Sequence, residues 1–129
     1  MSRAIADTSI FIAQETGREL GEIPEEIAVS VITAAELELG VLRATESNAR
    51  ATRLATLSRV QATYPLLPVD PEVASCFARI ASAEISRGRR LRRHDAWIAA
   101  TALRHGAVVL TQDADFSALE DVRVIRVDV

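Results

Sequence analysis

The sequence predicts an α/β fold, a parallel sheet flanked by helices on both faces, and three observations carry that prediction. Ile27-Ala28-Val29-Ser30-Val31-Ile32 is a continuous run rich in β-branched residues, as expected of a strand buried on both faces. Ala107-Val108-Val109-Leu110 is a second such run. Helical segments separate the strand candidates, and strands alternating with helices imply right-handed βαβ crossovers. Taken in order, Arg3 to Asp7 forms a short strand and a helix opens at Thr8 or Ser9. Gly17, Gly21 and Pro24 then predict a broken helix or mobile connection between Glu15 and Glu26. After the 27–32 strand, Thr33 starts a helix through about Ala44, and Ser47 or Asn48 starts another through about Ala62. Leu66 to Val69, beside Pro65 and Pro68, is a weak strand suited to an edge. Pro71 fits the first turn of a helix to about Ser86, with Val73, Ala74, Phe77, Ile80, Ala81 and Ile85 on its apolar side. Gly88 ends it, and the basic stretch Arg87 to Arg93 follows. A helix from about His94 to His105 stops at Gly106, and Val122 to Val127 alternates as a last strand. No repeat, low-complexity tract or interdomain linker interrupts this order, so one domain is expected over residues 1–129.

Composition narrows the class. Hydrophobic residues make up 49% and charged residues 26% of 129, the balance of a folded soluble chain. The longest apolar runs fall far short of the ~20 residues of a membrane span, so no membrane association is expected. The first apolar stretch carries Asp7 and lacks a cleavage site, unlike a signal peptide. A single cysteine, Cys76, excludes an internal disulfide and sits in an apolar helical pattern as a core residue. These features point to the cytoplasm. All fifteen basic residues are arginine, which removes every mechanism that needs a lysine. The net charge of −3 opposes nucleic-acid binding at first sight. Setting aside the five carboxylates of one candidate site leaves +2, and bound cations would neutralise the rest.

Those carboxylates stand at the carboxyl ends of the predicted strands, where parallel sheets collect functional groups. Each has an ordinary structural role open to it. Asp7 ends the first strand and suits a helix N-cap. Glu36 lies three residues after Thr33, the spacing of a capping box, but would also stand above the sheet edge beside Asp7. Asp95 opens a helix, where an acid complements the dipole. Asp113 and Asp115 follow the fourth strand directly and suit a turn, yet they also set two oxygen ligands on one side of a loop. Singly, these roles suffice. Jointly, they leave unexplained why separate strand–helix junctions all carry acids at one edge. Clustered carboxylates repel, and a hard divalent cation such as Mg²⁺ or Mn²⁺ removes that cost.

Ala6-Asp7-Thr8-Ser9, the Thr33/Glu36 helix start, His94-Asp95-Ala96-Trp97-Ile98-Ala99-Ala100 and Thr111-Gln112-Asp113-Ala114-Asp115-Phe116 together resemble the four signatures of PIN-domain nucleases. Their order and spacing are similar to those of the VapC-type toxins of toxin–antitoxin pairs, over essentially the whole chain. The resemblance implies a five-stranded parallel sheet, an Mg²⁺- or Mn²⁺-dependent endoribonuclease, a homodimer, an RNA substrate such as tRNA, and inhibition by a cognate antitoxin. It carries the metal ligands onto Asp7, Glu36, Asp95 and Asp113, with Asp115 assisting or replacing its neighbour. Thr111, and Thr8 or Ser9, match hydroxyl positions that orient water or ligands. Carboxylate-held cations would activate water for in-line attack on a phosphodiester, leaving a 5′-phosphate and a 3′-hydroxyl.

The Arg87-Gly88-Arg89-Arg90-Leu91-Arg92-Arg93 run offers Arg89, Arg90, Arg92 and Arg93 to RNA phosphates, or else forms a solvated loop or an antitoxin contact. Arg43, Arg50 and Arg53 are the next candidates. His94 and His105 suit helix ends, and Trp97 suits the core. Receiver domains and haloacid-dehalogenase phosphatases also place acids at strand ends, but both need a lysine. A Toprim module would leave Asp7 and Asp95 unused. The competing reading from another class is a PIN fold that binds RNA or a partner without cleaving.

Overall fold

The computed structural model describes residues 3–17, 24, 26–113, 119 and 122–127. Strand β1 (Arg3–Ala6) leads to helix α1 (Thr8–Glu15), then β2 (Glu26–Ser30), α2 (Val31–Arg43) and α3 (Ser47–Thr63). Strand β3 (Leu66–Leu67), α4 (Pro71–Ser86), α5 (Arg93–Arg104), β4 (Val108–Thr111) and β5 (Val124–Arg126) complete the order. The five strands pair in parallel as β3-β2-β1-β4-β5. Chain order reverses direction between β1 and β4, and a parallel sheet opens a crevice at such a switch point.

Strand alternation divides the core between the two faces. Ala4, Ala6, Val108 and Leu110 pack with Ile10 and Phe11 of α1, Leu37 of α2, and Leu57 and Val60 of α3. Ile5 and Val109 point the opposite way, into Val73, Cys76 and Ile80 of α4 and Ala96, Ile98 and Ala99 of α5. The small residues of α5 bring that helix close to the sheet. Trp97 belongs to this second cluster, stacked on Phe77 with ring centroids 3.8 Å apart.

The sequence misplaces one junction that matters. Strand β2 ends at Ser30, two residues before the expected end, and Val31 and Ile32 are already helical. Ser30, not Thr33, caps α2, its hydroxyl accepting the Ile32 N–H at 3.0 Å. Thr33 Oγ1 is buried without a hydrogen-bond partner, so the expected Thr33–Glu36 capping box does not form. A better cap upstream overrode the β propensity of Val31 and Ile32. The apolar side of α4 also differs. Val73, Cys76, Ile80, Ala81 and Glu84 are buried, whereas Ala74 and Ile85 face solvent. Glu84 gains its place by pairing with Arg89 at 2.7 Å. The connection expected to be broken or mobile lies mostly outside the described residues; Gly17, at φ 74°, ends α1.

Candidate active site

Asp7 follows β1 directly, and its backbone N–H bonds to Leu110 O at 3.0 Å, which fixes it against the end of β4. Its carboxylate caps α1 by accepting the Ser9 N–H at 3.1 Å, so the ordinary N-cap role is real. It does not exhaust the carboxylate. Ser9 Oγ–H donates to Oδ1 at 2.5 Å and Thr111 Oγ1–H donates to Oδ2 at 2.6 Å. With both hydroxyl hydrogens on Asp7, the lone pairs of Ser9 and Thr111 receive the N–H groups of Gln112 and Asp113, each at 2.9 Å. The network knits the ends of β1 and β4 together at the switch point. Burial raises the Asp7 pKa, the hydroxyl and amide donors oppose the rise, and the charge of Asp113 adds to it.

Glu36 is released from capping because Ser30 caps the helix instead. Its Oε1 accepts the Thr8 hydroxyl at 2.6 Å and its Oε2 lies 3.1 Å from His94 Nδ1. Glu36 therefore ties α2 to the start of α1 and to the first turn of α5. Asp95 stands in that same turn. Burial pushes its pKa up to about 6; Arg92 opposes the rise, and the charges of Asp113, Asp7 and Glu36 add to it. That response brings the four acids into one electrostatic neighbourhood, although each belongs to a different segment.

Arg92 is the largest departure from expectation. The sequence offered it to RNA, but its Nη2 lies 2.8 Å from Asp113 Oδ2 and 2.9 Å from Asp95 Oδ2. The first contact is a hydrogen bond. The second is close but poorly aligned, which leaves Asp95 Oδ2 buried without a hydrogen-bond donor. Arg89 is likewise engaged, with Glu84, while Arg90 and Arg93 are exposed and make no ion pair among the described residues. Arg50 and Arg53 donate to the Ala44 and Gly40 carbonyls at the end of α2, a structural use of both. Asp115 lies outside the described residues. His94 escaped the sequence reading as a site residue; its position beside Asp95 at the start of α5 was the available signal.

Among the described residues, no three acidic, histidine or cysteine side chains stand close enough together to enclose a metal ion. The donor set nonetheless fits a hard divalent cation. Every candidate ligand is a carboxylate oxygen, the buried Asp95 Oδ2 lacks a donor, and the charges of Asp113, Asp7 and Glu36 raise the cost of ionising Asp95.

A family model described as PIN domain matches residues 4–122. The chain belongs to the PIN-domain family. Ribonuclease VapC5 of Mycobacterium tuberculosis (strain ATCC 25618 / H37Rv) is 48% identical over 128 residues, covering 95% of this PIN domain chain and 94% of the relative. Ribonuclease VapC4 of the same strain is 42% identical over 130 residues, 97% of each chain. Among solved structures, a member of the VapBC family of toxin–antitoxin systems, VapBC-5 from Mycobacterium tuberculosis, matches with a TM-score of 0.88 and 44% identity, covering 98% of this chain and 99% of that one. PIN ribonucleases are generally dependent on divalent metals.

Proposed function

We propose that this PIN-domain protein is the endoribonuclease toxin of a toxin–antitoxin pair, cleaving RNA with Mg²⁺ or Mn²⁺ held by Asp7, Glu36, Asp95 and Asp113, with Asp115 as a further ligand that the sequence motif offers. The observation that carries the reading is the contact network at the sheet's switch point, in which Thr111 meets Asp7 and the Asp113 N–H, Arg92 meets Asp113 and Asp95, and Thr8 and His94 meet Glu36. Names of the relatives support it, since two of them are ribonucleases and the structural neighbour comes from a toxin–antitoxin system.

A divalent cation bound there would supply positive charge to the scissile phosphate and make water a better nucleophile. The chain's own residues do the positioning. Ser9 and Thr111 fix both oxygens of Asp7, so that carboxylate cannot swing away. Thr8 and His94 grip one oxygen each of Glu36 and set its plane. Arg90 and Arg93 flank the cleft beside Asp95 and would hold the RNA backbone through phosphate contacts. On this reading water is the attacking group, and no side chain need act as nucleophile.

A protein partner would be a cognate antitoxin, and a homodimer is expected alongside it. Leu39 and Leu42 of α2 and Leu54 of α3 leave apolar surface exposed that such a partner would cover. None of the described helices is long and apolar enough to cross a membrane. Incubating the purified protein with tRNA tests the reading. Cleavage should stop in EDTA, return with Mn²⁺, and leave 5′-phosphate ends. Tight RNA binding without cleavage in Mn²⁺ would instead favour a PIN fold that only binds.

A further inference from the structure

Arg92 occupies a position its sequence context does not explain. It precedes the first turn of α5 and serves that helix as backbone N-cap, with no side-chain capping bond. Its guanidinium turns inward, placing Nη2 against Asp95 Oδ2 and Asp113 Oδ2, two oxygens carried by different segments. A cation held by Asp95 and Asp113 would draw on the same pair of carboxylates as the guanidinium. Nη2 reaches both carboxylates but is aligned for a hydrogen bond with only Asp113, which leaves Asp95 Oδ2 without a donor. The arginine side chain is 43% exposed, and it lines an open cleft of about 770 Å³ with Glu36, Arg90, Leu91, Arg93, His94 and Asp95. It can therefore swing into the cleft without unpacking the core. Arg90 and Arg93 already mark that cleft as the place where phosphate would collect.

We propose that Arg92 is an internal competitor of the catalytic cation: guanidinium and metal exclude one another at Asp95 and Asp113, and an RNA phosphate entering the cleft draws Arg92 away, so that metal loading and RNA binding favour each other. The inference rests on the ribonuclease reading of the site. It makes the nuclease poorly loaded until substrate arrives. By linkage, RNA and metal must raise each other's affinity by the same factor.

Calorimetric titration of Mn²⁺ into wild type, Arg92→Gln and Arg90→Gln, at low salt and without nucleic acid, tests it. Removing the competitor should tighten Mn²⁺ binding about tenfold in Arg92→Gln, the scale of one partly exposed charge at contact distance. Arg90→Gln should match wild type. Adding a short single-stranded DNA oligonucleotide as an uncleaved polyphosphate should tighten Mn²⁺ binding to wild type and change Arg92→Gln little. Equal or weaker Mn²⁺ binding by Arg92→Gln overturns the proposal, as does an oligonucleotide effect of the same size in both proteins. If all variants bind Mn²⁺ alike and still cleave RNA, only the Arg92 proposal falls. If none binds Mn²⁺, the ribonuclease reading falls with it.

Discussion

Replacing Asp95 with Asn should make the protein more stable while destroying its activity. Asp95 is mostly buried, and burial together with three neighbouring acids raises its pKa from the ordinary 3.8 to about 6. At ~1.4 kcal/mol per tenfold change in proton affinity, the charged form carries a penalty of roughly 3 kcal/mol in the folded state. Asn gives up the Arg92 contact and brings an amide that needs partners, so a net gain of about 1–2 kcal/mol is expected. That corresponds to roughly 3–8 °C in Tm for a chain of this size. The sign depends on pH. Well below pH 3.8, Asp95 is protonated in both folded and unfolded chains and costs nothing, and at pH 4 only a small part of the cost is present. As pH rises through 4 to 6, the unfolded chain ionises first and wild type loses stability; above about 6 the penalty is complete. Thermal unfolding of both proteins in EDTA at pH 8 and pH 4 reads the difference directly. An Asn variant no more stable than wild type at pH 8, or one whose advantage persists at pH 4, would refute the reasoning.

Other expectations follow from the same geometry. Millimolar Mn²⁺ should raise the wild-type Tm by mass action, and Asp7→Asn, Glu36→Gln, Asp95→Asn and Asp113→Asn should each lose most of that gain in the same melts. Ser30→Ala should cost about 1 kcal/mol in denaturant unfolding, because it removes the cap of α2. Thr33→Val should be neutral or stabilising by up to ~1 kcal/mol, because its buried hydroxyl lacks a partner. Arg90→Gln with Arg93→Gln should flatten the salt dependence of RNA binding by roughly 0.7–0.9 in log–log slope per contact, measured by filter binding.

Much of this was legible in the sequence where local and global signals agreed. The helix Pro71–Ser86 matched at both ends because Asp70, Pro71 and Gly88 punctuate it. The edge strand at Leu66 was legible from its flanking prolines. Strand β2 ended early because Val31 and Ile32 carry strand propensity but follow a serine that caps a helix. The acids were legible as a set, since their order along the chain follows the strand ends. Their partners were not. Nothing local pairs Thr8 with Glu36 across 28 residues or Thr111 with Asp7 across 104, contacts made only when the sheet assembles. The acid partners of Arg92 were hidden for a related reason: a basic run reads as solvated surface, while the i,i+3 spacing to Asp95 allowed one member to turn inward.

The central claim is that Asp7, Glu36, Asp95 and Asp113 work as one cation-dependent unit, and single-turnover RNA cleavage by wild type and Asp7→Asn across a Mn²⁺ titration tests it most directly. Because an Asn amide would face one of the hydroxyl donors of Ser9 or Thr111, a thermal melt of Asp7→Asn first checks that the variant is folded. Cleavage by wild type should rise from nothing in EDTA to a plateau with Mn²⁺, and Asp7→Asn should stay at least a hundredfold lower at every concentration, on the order of losing one ligand to a shared ion. Cleavage by wild type in EDTA, or near wild-type cleavage by Asp7→Asn, would contradict the account.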